Sequence, residues 1–136
     1  MLYIQGDAAD PVVGQRVCSE DDGIVELSLH LVGENIEFEK RFLLWRVEAG
    51  HGQPSREIRL GVTPDGYTTP HPLTVPLDAT TTYELRADFA WGGYGYLTFR
   101  PEQLAAGNVV FGSEQTESRQ EYDDRDGQDF GCCVDD

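Results

Sequence analysis

The stretch YELRADF puts Tyr83, Leu85, Ala87 and Phe89 on one side of an extended chain and Glu84, Arg86 and Asp88 on the other. A repeat of two suits a strand with one buried face; a helix repeats every 3.6 residues and would scatter these side chains around its surface. The same pattern recurs. In GIVELSLHL, Val25, Leu27, Leu29 and Leu31 alternate with Glu26, Ser28 and His30. Leu43, Trp45 and Val47 share one face of FLLWRVEA, and Ile58, Leu60 and Val62 alternate in SREIRLGV. TPDGY reads as a turn, and in HPLTVPL the prolines Pro72 and Pro76 lack a donor for a ladder, which predicts an edge strand. With LYIQ at the start and GGYGYLTFRP near residue 100, seven strands follow one another about every 10–15 residues, and no helical run interrupts them. This predicts an all-β, antiparallel seven-stranded β-sandwich over residues 1–112.

A chain of 136 residues is long enough to close one hydrophobic core without metal or disulfide support. Its net charge is −15, and Lys40 is the single lysine among ten basic residues. Such a surface repels phosphate backbones and anionic headgroups, so neither nucleic acid nor membrane is an expected partner, and a basic protein is. The charge is uneven: residues 1–112 hold 16 acids against 8 bases, and residues 113–136 hold 9 against 2. In that last segment Tyr122, Phe130 and Val134 are the large apolar groups outside its cysteines, too few to offset the entropy of ordering it, so it reads as an acidic tail, flexible or loosely docked. Cys18, Cys132 and Cys133 are odd in number and include an adjacent pair, and MLYIQGDAADPVVG lacks the basic start and apolar run of a secretory signal. Both features point to a reducing cytoplasm, and the preference for Arg over Lys points to a bacterial or phage gene.

Tyr83 follows Leu77 by six residues and Thr81 by two, and precedes Leu85 and Ala87. This spacing resembles the tyrosine corner of fibronectin type III domains and related immunoglobulin-like sandwiches. The resemblance spans roughly residues 2–100 and departs from the family in lacking a tryptophan in the strand at residues 24–32. It implies that the chain crosses between sheets just before Tyr83, and that the Tyr83 ring lies in the core with its hydroxyl bonded to the crossing loop. It also implies binding or spacer work, by analogy of fold.

No nucleophile motif surrounds His30, His51 or His71, and no cofactor-binding pattern is present. YDDRDGQDFGCC and CSEDDGIVELSL carry acids and a glycine in calcium-loop phase, but their first and twelfth positions lack oxygen ligands. The terminal CCVDD resembles the prenylation signals of some small GTPases, yet the chain has no GTPase domain and ends on two aspartates. These residues predict no catalytic centre, no cofactor and no metal site.

Strand parity identifies the candidate binding residues. If Leu43, Trp45 and Val47 face the core, Phe42, Leu44 and Arg46 face outward; if Leu97 and Phe99 face the core, Tyr94 and Tyr96 face outward, beside Arg86. An exposed aromatic patch framed by arginines suits a protein interface, unless EQLAAGNVVF or the tail folds back over it. The expected function is therefore a non-catalytic inhibitor or immunity-type protein that neutralises a basic partner. A structural or accessory module, such as a spacer or virion component, and a hydrolase using His51 or His71 are the alternatives.

Overall fold

The computed structural model describes residues 2–15, 23–32, 42–50 and 54–124. Within them the chain forms β1 (Leu2–Gln5), β2 (Val12–Gln15), β3 (Ile24–Leu31), β4 (Phe42–Ala49), β5 (Glu57–Arg59), β6 (Tyr67–His71), β7 (Tyr83–Phe89), β8 (Tyr94–Phe99), β9 (Asn108–Phe111), β10 (Gln115–Ser118) and α1 (Arg119–Asp123). Two antiparallel five-stranded sheets result, with orders β10-β9-β1-β2-β5 and β6-β4-β3-β7-β8. The all-β sandwich is as expected, but ten described strands replace seven. No helix among the described residues is long and apolar enough to cross a membrane.

The core lies between the sheets. Leu2, Ile4, Val13, Ile58 and Val110 come from the first sheet, and Leu27, Leu29, Trp45, Val47, Leu85, Phe89, Leu97 and Phe99 from the second. Burying each such side chain contributes about 1.5–3 kcal/mol. The alternation read from β7 holds at all four of its inward positions. Two strands depart from simple alternation through bulges. The β3–β7 register shifts between Ile24 and Glu26, so Ile24 enters the core in place of Val25. The β3–β4 register shifts between Leu29 and His30, which leaves Leu44 as the extra residue and pairs His30 with Leu43.

Tyr83 is buried, and its hydroxyl accepts the Asp78 backbone N–H at 2.8 Å, as the corner implies. Thr80 donates its backbone N–H and hydroxyl to the Asp78 carboxylate, both at 2.9 Å. The backbone donor above all holds that carboxyl below its ordinary range. The connection itself differs from expectation: residues 72–82 join β6 to β7 within one sheet rather than crossing between sheets. HPLTVPL is loop beyond His71, with Leu73 and Leu77 laid against the core, because Pro72 and Pro76 remove ladder donors a strand needs.

The boundary expected after Gly112 also moves. Residues 115–118 pair with β9 as β10, and α1 follows directly, so the start of the expected tail is built into the first sheet. Residues 125–136, all three cysteines and His51 lie outside the described residues. Tyr122 of α1 is 1% exposed and packs with Tyr3, Val109 and Phe111 on the sheet face opposite the main core. Its ring centroid is 5.3 Å from those of Tyr3 and Phe111, and the Arg119 guanidinium lies 5.1 Å from the Tyr3 centroid. Ser118 caps the helix by accepting the Glu121 N–H, and Arg119 donates to the Gln5 side-chain oxygen at 2.7 Å.

Gly14 lies against the Tyr3 ring of this second cluster. It pairs with Tyr3 across β1 and β2, and a Cβ there would overlap the Tyr3 ring. Gly14→Val should therefore push the ring off its seat and cost about 1–3 kcal/mol. Urea melts check this, and an unchanged midpoint would mean that the ring is not confined.

Candidate functional site

The outer face of the second sheet is a regular array fixed by strand register. One row runs Glu48, Glu26, Asp88, Tyr94 across β4, β3, β7 and β8; the next runs Arg46, Ser28, Arg86, Tyr96; the third runs Leu43, His30, Glu84, Thr98. Side chains directly opposite on neighbouring strands stand about 5 Å apart at Cβ, so each row is a line of contacts. Most of these residues, with Gly112 and Ser113, line an open groove of about 870 Å³.

Four carboxylates and two guanidinium groups alternate over the array. Arg46 Nη2 lies 2.8 Å from Glu26 Oε1 and 2.7 Å from Glu48 Oε1, bridging β3 and its own strand. Arg86 is ion-paired with Glu84, which is 1% exposed although it points away from the core. A buried carboxylate needs such a partner, since its desolvation is otherwise costly. Ser28 Oγ and His30 Nε2 are hydrogen-bonded at 2.9 Å, and both side chains are buried in the floor of the groove. The arginines are thus fixed by neighbours before anything binds, which lowers the ordering cost of association.

Four of the six predicted residues share this face: Arg46, Arg86, Tyr94 and Tyr96. The two tyrosines are 75% and 59% exposed. The other two do not join them. The bulge turns Leu44 toward the core, where it packs partly buried, and presents Leu43 to the groove instead. Phe42 pairs with Leu31, which packs on the core side, and stays 64% exposed at the end of the sheet. Sequence reasoning missed Leu43, Ser28, His30 and Glu84. The last three were legible as the polar side of alternating strands; Leu43 was not, because nothing in FLLWRV marks the bulge.

EQLAAGNVVF does not cover the array. Its last four residues form β9, which enters the first sheet beside β1. That sheet's own outer surface carries the Tyr3–Tyr122 cluster, so α1 occupies one face of the sandwich and the tyrosines and arginines occupy the other. Among the described residues, no group of three or more His, Cys, Asp or Glu side chains is placed to hold a metal ion. No protein-family model, curated protein or solved structure matches the chain.

Proposed function

We propose that the protein is a non-catalytic binding module, an acidic inhibitor or immunity-type protein that neutralises a basic protein through the outer face of its second sheet. The observation that carries this reading is the placement of exposed Tyr94 and Tyr96 beside arginines already fixed by ion pairs, on an open face. Tyr and Arg are favoured at interface centres because they give large contact area and several hydrogen bonds for little lost freedom. The net charge of −15 would draw a basic partner in and set its orientation. A fibronectin type III-like topology belongs to the same proposal. It is supported by the groupings β1-β2-β5 and β3-β7-β8, which parallel the A-B-E and C-F-G strands of such sandwiches, and by the Tyr83 hydroxyl bond.

The test starts from a partner captured from the native host, identified by mass spectrometry and purified. Tyr96→Ala and Leu43→Glu should each weaken its binding by about 2 kcal/mol or more, roughly thirtyfold, with near-ultraviolet dichroism intact. The association rate of the native protein should fall with added salt while dissociation changes little. Undiminished affinity in both folded variants would remove this face from consideration.

The Ser28–His30 bond favours a hydrolase reading, through residues other than the expected His51 or His71. A fluorophosphonate probe that labels the native protein, and not Ser28→Ala, would move the reading to catalysis.

A further inference from the structure

Among the described residues strand β8 ends its sheet, so the backbone groups turned away from β7 face no described neighbouring strand along most of its length. Thr98 shows which groups these are. Its N–H donates to the Gly112 carbonyl at 2.9 Å and its carbonyl accepts the Glu114 N–H at 3.0 Å, in a parallel bridge to Ser113. Backbone groups alternate in direction along a strand, so the N–H and C=O of Tyr96 and Tyr94 point off the same edge. Among the described residues neither has a backbone partner on that side. The turn at residues 112–114 is held in place, with Arg100 Nε donating to Glu114 at 2.8 Å and Glu114 at φ 58°. It therefore fills the edge at Thr98 as a short strand would and leaves the stretch at Tyr94–Tyr96 open.

We propose that the partner docks by adding an extended segment to β8 as a further strand, bonded to the backbone of Tyr94 and Tyr96, with alternate side chains lying beside their rings. The proposal rests on the reading of the adjacent face as the binding site and assigns the mode of recognition. Charge selects the occupant. A second copy would bring a further −15 to the same edge, whereas a basic segment is attracted to it.

Proline at position 96 discriminates between edge and face. It removes both the ring and a donor that points off the sheet, which an edge strand tolerates, while Tyr96→Ala removes the ring and keeps the donor, so the difference between the two variants reads the donor alone. The probe is a randomised dodecapeptide library displayed on phage and selected against the full chain. Selected peptides are expected to be basic, to slow hydrogen exchange at the Tyr94 and Tyr96 amides, and to bind Tyr96→Pro at least about tenfold more weakly than Tyr96→Ala. If Tyr96→Pro does not fold, the exchange measurement on the native protein decides alone. Peptides that need the Tyr96 ring but leave the two amides unprotected would overturn strand addition while leaving the face as the binding site. A selection that yields no peptide whose binding depends on Tyr96 would overturn both. A native dimer in light scattering that Tyr96→Pro turns into monomer would assign the edge to a second copy instead.

Discussion

A chain ended at Gly112 is expected to melt more than about 10 °C below the full protein, or to fail to fold cooperatively. The truncation removes β10, whose four residues pair with β9, and it removes Tyr122 from the aromatic cluster on the outer surface of the first sheet. Tyr3, Val109 and Phe111 would then be uncovered together. Deleting one large buried aromatic side chain costs about 3–5 kcal/mol, against a total stability of about 5–15 kcal/mol for a domain. A loss of that size moves the midpoint by roughly 10 °C or more at this length. A chain ended at Asp124 keeps every one of these contacts and is the control. If the Gly112 chain melts within about 3 °C of that control, the C-terminal strand and helix contribute nothing to the fold.

Tyr83→Ala is expected to cost a similar amount, about 3–5 kcal/mol, because the ring is buried in the main core beside Phe99, with centroids 5.9 Å apart. Tyr83→Phe separates the ring from its hydroxyl. It keeps the packing and leaves the Asp78 N–H without its acceptor, for about 1–2 kcal/mol. Denaturant melts of the two variants should therefore differ by about 2 kcal/mol or more. A Phe variant as stable as the native chain would mean that the corner bond is replaced by water at no cost.

Alternation makes the second sheet legible in the sequence, since Tyr83, Leu85, Ala87 and Phe89 on one side and Glu84, Arg86 and Asp88 on the other leave one solution. The same logic placed Arg46, Arg86, Tyr94 and Tyr96 on one outer face. It misassigned Phe42, Leu44 and Val25, because a bulge inserts one residue and reverses parity beyond it without any change in residue type. Strand β2 was hidden by Gly14, a poor strand former that is required because the Tyr3 ring passes over it. Strand β10, QTES, has no apolar side to betray it; it is held by backbone pairing with β9 and by the helix that follows. Tyr122 looked like an isolated aromatic in an acidic run. Its burial depends on Tyr3 and Phe111, which are distant in sequence and meet only once β1 and β9 have paired.

The central claim is that the outer array of the second sheet is where a partner binds, and a hydrogen-exchange footprint of the complex with the captured partner tests it most directly. The account predicts slowed exchange in β8 at Tyr94 and Tyr96 and in the adjoining β7–β8 turn, with β10 and α1 unchanged. Protection concentrated instead on β10, α1 and the Tyr3–Tyr122 cluster, with β8 exchanging as it does in the free protein, would contradict it.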